Sequence, residues 1–402
     1  MTAVTFGCVT NTQLSARGLA PLYLAGFTTA FGAHGVASVL GAESDDIGLS
    51  LLGLGVVLAL YDVAEVILKP IFGALSDRIG AKPVIVGGLV AFLAASLLAV
   101  FTPTPLVLAL ARVGQGAAAA AFSPASSAAV ARLAGKERLG RYFGRYGAWK
   151  SLGYVLGPLI GVALVHWIGI EALYLALGAL AASAAVWCLF AMPTLPVLPR
   201  PRYTVLDLVR QTTERGFLIP TLLLATTTAV LGVAVGFLPL LATRLHLHPL
   251  AGAAAVALLA LCSTALQPLT GRLRDQNRIT TRTGATAGLV FGVTGLLLLG
   301  LIPSGSTLFM AAAAIGIMTG AVTPLAFAHL ADNTPEERMG RTMGNAELGR
   351  ELGDAGGPLL VGAIATVSTL PIGLAVLAGI TATTSVLSWA ALRPTKEPTS
   401  AP

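Results

Sequence analysis

Charge is what this chain has least of. Of its 402 residues, 11% are charged and 55% hydrophobic, against about 25% and 45–50% in an average soluble domain; too few polar side chains remain to coat a water-facing globule. The three cysteines, Cys8, Cys188 and Cys262, are scattered between the N-terminal tail and apolar stretches, so neither metal-ligand spacing nor a disulfide framework follows from them. There is no Gly-x4-Gly-Lys-Ser/Thr loop to cradle a nucleotide, no His-Glu-x2-His to hold a catalytic metal and no Gly-x-Ser-x-Gly turn to present a nucleophile. These absences argue against an ATP-driven pump and against a membrane enzyme, and no cofactor or metal is expected. The apolar–polar alternation of a transmembrane barrel, over about ten positions per strand, is missing too.

What the chain has in quantity is apolar runs. A bilayer-spanning helix needs about 20 such residues, and runs of that kind cover 18–40, 48–73, 83–101, 105–131, 141–166, 170–192, 217–243, 249–270, 283–302, 305–331, 341–366 and 371–392. Twelve transmembrane helices are therefore expected. The segment before Arg17 is short and polar, and no apolar core with a small-residue cleavage site precedes the first span, so no cleaved leader is expected.

The formal net charge of +7 matters through its placement. Arg17, then Arg78 and Lys82, then Arg132, Lys136, Arg138, Arg141 and Arg145 fall in the N-terminal tail and in every second break. Arg200, Arg202, Arg210 and Arg215 mark the middle break; Arg272, Arg274, Arg278 and Arg282, then Arg338 and Arg341, then Arg393 and Lys396 keep the same phase, while the intervening breaks carry only Arg244. By the positive-inside rule both termini are cytoplasmic, in a multi-pass protein of the inner (plasma) membrane. The basic balance reports topology and makes no case for nucleic acid.

The middle break carries Pro193, Pro196, Pro199 and Pro201 and reads as a cytoplasmic linker, 193–216, between an N-terminal six-helix bundle, 1–192, and a C-terminal one, 217–402. A repeat supports the division. Gly116, Pro124, Arg138, Gly140, Arg141, Gly144, Gly153, Gly157 and Pro158 recur 200 residues later as Gly316, Pro324, Arg338, Gly340, Arg341, Gly344, Gly353, Gly357 and Pro358. A weaker echo, offset by 198, relates Gly73, Leu75 and Asp77 to Gly271, Leu273 and Asp275. Parallel repeats about an axis along the membrane normal form a transporter architecture, with substrate held near the midplane between halves.

The break after the second span reads Gly73-Ala-Leu75-Ser-Asp77-Arg78-Ile-Gly80-Ala-Lys82. It resembles the signature loop of the major facilitator superfamily, Gly-x-Leu-x-Asp-Arg-x-Gly-x-basic, in its place between helices 2 and 3. The physical logic is legible: Gly73 admits a close helix, Asp77 suits a helix N-terminus, and Arg78 with Lys82 anchors the cytoplasmic face. In the fourth span, Arg112-Val-Gly-Gln115-Gly116 is similar to the family's second motif, whose buried arginine is tied in many members to proton coupling; a structural interhelical salt bridge is the alternative. In the fifth, Gly144-x8-Gly153-x3-Gly157-Pro158-x2-Gly161 is similar to the antiporter motif of drug:proton exporters, with Val162 in place of the second glycine of the terminal pair; generic close packing is the alternative. The resemblance implies an all-α major facilitator fold of two pseudo-symmetric six-helix bundles. It implies alternating access and does not name a substrate.

Charges inside the spans are costly, roughly 2.5–3.5 kcal/mol each at mid-bilayer on the insertion scale, and mark pathways or pairs. Asp62, Glu65 and Lys69 share one face of the second span; Lys69, nearer the cytoplasmic end, is expected to snorkel, and Asp62 is the preferred proton carrier. The eleventh span presents Glu347, Arg350, Glu351 and Asp354 on one stripe, and Lys150 on the fifth takes the place of Arg350 in the repeat. Asp62, Glu65, Arg112 and Asp354 are the proton-coupling candidates. Tyr61, Trp149, Lys150, Tyr154, Glu347, Arg350 and Glu351 are the substrate-cavity candidates, with simple structural pairing as the rival role for the charges and aromatic packing for the rings. A working cycle follows: substrate entry or helix movement changes the distance from Arg112 or Lys150 to Asp62, its proton is released and opposite gating follows. The first span offers only His34 as an ionisable group, where drug exporters of this type often carry an acid. The expected function is proton-coupled export of a small amphipathic or cationic compound, with proton-coupled transport of an organic anion or sugar as the alternative and a non-transporting sensor as the rival class. The expected partners are protons, a small-molecule substrate and the lipid bilayer, and the protein is expected to be monomeric.

Overall fold

In the computed structural model, residues 16–42, 51–101, 104–198, 214–248 and 250–392 are described. Cys8, Arg200, Arg202, Arg210, Arg393, Lys396 and the side chain of Arg17 lie outside them, as do the starts of the expected second and eighth spans at 48–50 and 249. Twelve long helices follow one another: α1 Ala16–Ala42, α2 Leu51–Ile79, α3 Ala81–Phe101, α4 Pro105–Ala134, α5 Leu139–Trp167, α6 Ile170–Ala191, α7 Arg215–Arg244, α8 Ala251–Asp275, α9 Thr281–Leu301, α10 Gly305–Asp332, α11 Met339–Val367 and α12 Leu370–Ala391. Single 3-10 turns, Lys136–Arg138 and Glu336–Arg338, precede α5 and α11.

Local chemistry fixes the ends. Thr104 caps α4 by accepting from the Val107 N–H, and Thr280 and Ser304 open α9 and α10 with capping boxes. Between α2 and α3 there is one non-helical residue, Gly80, whose φ of +96° is the left-handed conformation that glycine adopts without steric cost. The expected signature loop is thus mostly helix: Gly73 to Arg78 complete the last turns of α2, and Ala81 and Lys82 already begin α3. Several helices run past the expected spans at the basic end, α2 by six residues from 73 to Ile79 and α8 by five from 270 to Asp275, because polar end residues still satisfy helical hydrogen bonds once they leave hydrocarbon.

Nine of the described helices are long and apolar enough to cross a bilayer, and side chains such as Val63, Ile67, Phe101 and Phe190 point outward, the inverse of a water-facing surface. The protein is a multi-pass membrane protein. Helices α2 and α11, which carry most of the intramembrane charges, are, like α1, not among the nine; their charged faces turn inward. Helices α1–α6 form one bundle and α7–α12 the other, with α5 packed on α1, α2 on α4, α11 on α7 and α8 on α10. The bundles meet along two seams, α2 with α11 and α5 with α8.

Candidate functional site

Glycine sets how closely the seams close. Gly73 lies against Gly340 and Gly344 of α11, and in the related seam Gly140 lies against Gly271 while Gly144 lies against Gln267 and Pro268 of α8. At their basic ends both seams are clamped by a carboxylate on a helix N-terminus. Asp77 accepts from the backbone N–H groups of Gly340 (2.7 Å) and Arg341 (2.9 Å); Asp275 accepts from those of Gly140 (2.8 Å) and Arg141 (2.7 Å). Negative charge there satisfies orphan donors and complements the helix dipole. Arg274, beside Asp275, pairs with Asp332 at the end of α10. Lys82 donates to the Met192 carbonyl at 2.7 Å, tying α3 to the end of α6, and Arg78 is exposed.

The antiporter-type segment packs within its own half. Gly153, Gly157 and Gly161 lie against Phe27, Phe31 and Gly35 of α1, with Pro158 inside the helix. The repeat reproduces this, since Gly353 and Gly357 lie against Ala225 and Ala229 of α7.

Above the clamps, toward the less basic face, lies a cavity of about 380 Å³ between the halves. Tyr61, Asp62 and Glu65 of α2, Arg112 of α4, Lys150 and Tyr154 of α5, and Arg350, Glu351 and Asp354 of α11 all line it, with His34 of α1. Asp62 and Asp354 sit near the middles of helices 29 residues long, and Asp62 is about 22 Å along α2 from the Asp77 clamp at 1.5 Å per residue. Neither has an ion-pair partner among the described residues. Arg112 is 2% exposed and, among the described residues, reaches no carboxylate within salt-bridge range: its guanidinium lies 4.2 Å over the Tyr61 ring and 3.5 Å from the Gln115 side-chain oxygen, while its Nε has no partner among them. The interhelical salt bridge is therefore not made, and a cation–π contact takes its place. Arg350 donates to the Tyr154 hydroxyl and lies 3.6 Å from Glu351; His34 packs on the Tyr154 ring at 4.2 Å.

Three expectations are corrected. Trp149 does not line the cavity; it is 43% exposed and meets Phe27 of α1 edge-on, because one residue turns a helix by about 100° and Lys150 holds the inward position. Lys69 does not snorkel. It is fully buried, 2.8 Å from Glu65, 2.7 Å from Glu351 and 3.6 Å from Glu347, since the seam puts carboxylates closer than water. Glu347 does not reach the cavity either: it is fully buried beneath it, accepting from Ser123 and Ser127 of α4 at 2.6 Å each.

Sequence reasoning did not single out Ser123, Ser127, or the trio Ser151, Ser263 and Gln267 that joins α5 to α8. Their one signal was register, for Ser123 and Ser127 are one helical turn apart beside Pro124.

Two helical bundles clamped at one face and enclosing a charged cavity near mid-helix define a polytopic membrane protein of the carrier type. A family profile described as Major Facilitator Superfamily matches residues 22–302 and 221–402, and the chain belongs to that superfamily, whose members are secondary transporters and not enzymes. Among relatives, a chloramphenicol resistance protein of Pseudomonas aeruginosa is 36% identical over 120 residues, 29% of this chain and 29% of that protein. The matched segments span 29–43% of the length of the first curated relatives. In fold, the human organic anion transporter MFSD10 superposes with a TM-score of 0.75 at 17% identity, covering 92% of this chain and 99% of that one. The Escherichia coli fucose:proton symporter FucP gives 0.76 at 12% identity, covering 94% and 98%.

Proposed function

We propose that the protein is a proton-coupled secondary transporter of a small polar metabolite, an organic anion or a sugar, working by alternating access in the plasma membrane. The observation that carries this reading is the convergence of Asp62, Arg112, Lys150, Arg350, Glu351 and Asp354, from both halves, on one cavity. An inert scaffold has no reason to keep so many charges in hydrocarbon. Residues 1–192 and 217–402 are the moving bodies, joined by 193–216; the basic face and both termini are cytoplasmic, and the transporter acts as a monomer. With the clamps closed on the basic face, the cavity belongs to the outward-facing side of the cycle. Asp62 and Asp354, unpaired on the wall, exchange protons; Lys150 and Arg350 orient the substrate's polar or anionic groups, and Arg112 sets the local field felt by Asp62.

Export of an amphipathic or cationic drug is the second reading. The Gly153-x3-Gly157-Pro158 face favours it, as does similarity to a chloramphenicol resistance protein. A lining with few aromatic rings turned inward, Tyr61 and Tyr154, favours the metabolite. Purified protein in liposomes, loaded with a pH dye and given a pH gradient, separates the two: organic anions and sugars are expected to move protons with them, and proton movement driven only by lipophilic cations would favour the drug reading. Flux indifferent to the gradient would remove proton coupling altogether.

A further inference from the structure

The two seams are copies of one another in backbone but not in charge. In the α2–α11 seam, Lys69 Nζ holds Glu65, one turn earlier on its own helix, and Glu351 across the interface, at 2.8 and 2.7 Å. In the α5–α8 seam, Gln267 Nε2 donates to Ser263, again one turn earlier, at 3.0 Å, and to Ser151 across the interface at 2.7 Å. The repeat offsets superimpose these groups: Gln267 on Lys69, Ser263 on Glu65, Ser151 on Glu351, and Pro268 on Pro70. The position matching Glu347 is Gly147. One arrangement of hydrogen bonds is thus built twice, once from ions and once from neutral groups.

Glu347 is the member whose partners all lie in the other half. Ser123 and Ser127 of α4 donate to its two oxygens, Lys69 of α2 lies 3.6 Å away, and Lys150 of α5 reaches it through Ser123 at 3.4 Å. Glu65 on α2 shares Lys69, Tyr146 is the other titratable side chain facing it from α5, and Arg350 and Glu351 flank it on α11 without pairing with it. If the halves part at this seam, Lys69 keeps Glu65 and Arg350 keeps Glu351, because each pair lies within one bundle. Glu347 loses every donor.

An ionised carboxylate is held far more strongly with two hydroxyl donors and a cation than without them, so the closed seam holds Glu347 ionised and parting of the seam makes its protonation easier. We propose that Glu347 is a proton-binding site of the transport cycle, located in the seam and outside the cavity, whose protonation and the closure of α2 on α11 exclude each other. The step is a plain proton uptake from water: an O–H bond forms on Glu347 as the two serine hydrogen bonds and the Lys69 attraction are lost, and the proton returns to water on closure. The α5–α8 seam has no carboxylate at this level, where Gln267, Ser263 and Ser151 are neutral; its clamp, Asp275, lies at the basic end beside Arg274. This rests on the alternating-access reading and adds to it the place where protonation acts on the gate.

The test is a distance measurement, independent of any substrate. Spin labels on Glu137→Cys and Glu336→Cys, in the turns preceding α5 and α11, with Cys8, Cys188 and Cys262 replaced by alanine, report the separation of the basic ends in nanodiscs from pH 8 to about pH 4, past the ordinary glutamate range. Acidification is expected to shift the population toward the wide separation. In Glu347→Gln the wide form should dominate at every pH, with Glu347→Asp restoring the transition. Ser123→Ala with Ser127→Ala, which leaves the carboxylate in place, should raise the pH of the midpoint by about 1 unit or more, since bonds to a charged group contribute about 1.5 kcal/mol or more each and 1.36 kcal/mol is one unit. Gln267→Ala should leave the midpoint where it is. A pH-dependent opening that survives in Glu347→Gln, or a midpoint indifferent to the two serines, overturns the assignment even if flux is proton-coupled; proton-independent flux with these distance changes intact would instead overturn the coupling reading alone.

Discussion

Replacing Asp77 by asparagine removes a charge from the N-terminus of α11 and leaves one acceptor oxygen where two now serve the Gly340 and Arg341 N–H groups at 2.7 and 2.9 Å. A hydrogen bond to an ionised partner contributes about 1.5–3 kcal/mol and the dipole interaction roughly 0.3–1 kcal/mol. Because Asp77 is only partly buried, the lower ends apply, and the closed seam should lose about 1.5–2 kcal/mol, a roughly 10–30-fold shift toward the parted form at 1.4 kcal/mol per decade. Ser76 reports this directly. It is 4% exposed, its hydroxyl donates to the Gly73 carbonyl, and it faces Gly340 across the interface, so a cysteine there is alkylated only while the halves are apart. In Ser76→Cys protein lacking the three native cysteines, a membrane-impermeant maleimide should react about 10–30 times faster once Asp77→Asn is added. Asp275→Asn should produce a comparable increase from the other seam. A rate within about twofold of the parent would refute the reasoning, because it would mean that the close glycine contacts and the Lys69 network hold the face shut without the clamp.

Asp62→Asn should abolish proton-driven substrate accumulation in liposomes while leaving substrate exchange at equal pH intact; coupled accumulation at the wild-type level would remove Asp62 as a carrier. Tyr61→Phe should be tolerated, whereas Tyr61→Leu, which deprives Arg112 of the ring 4.2 Å beneath it, should lower transport by about fivefold to thirtyfold on a cation–π contribution of about 1–2 kcal/mol. Gly353→Val points a side chain at the Ala225 carbonyl and should lower the thermal unfolding midpoint in detergent by several degrees, from an overpacking cost of about 1–3 kcal/mol. Gly356→Ala, with open space around it, should leave that midpoint unchanged or raise it. Trp149→Phe should alter the substrate KM by less than about twofold, since the ring faces away from the cavity.

Periodicity, loop charge and the 200-residue repeat made the helices and their pairing into halves readable before any coordinate, because hydrophobic length and duplicated glycines are local properties of the chain. The inward direction of Asp62, Arg112 and Asp354 was readable for the same reason, as a charge in hydrocarbon has few places to go. The fates of Lys69, Glu347 and Trp149 were not. Whether Lys69 reaches water or Glu351 depends on which helix stands against α2; Gly73 admits a close neighbour, but nothing in residues 51–79 says that the neighbour is α11 or that it brings carboxylates to Lys69. Trp149 and Lys150 are neighbours in sequence, yet the rotation of α5 against α1, set by Gly153 and Gly157, sends one outward and the other to the centre.

The reciprocal clamps carry an implication about ancestry. Asp77 of the first half grips the start of α11, and Asp275 of the second grips the start of α5; this is the self-complementary contact of an isologous dimer, in which patch i meets j and j meets i. Two identical six-helix subunits would have been bound to put the same side chains in both interfaces. An ionic knot on one side and its uncharged counterpart on the other need halves with separate sequences, and a chain that carries both halves leaves each free to diverge.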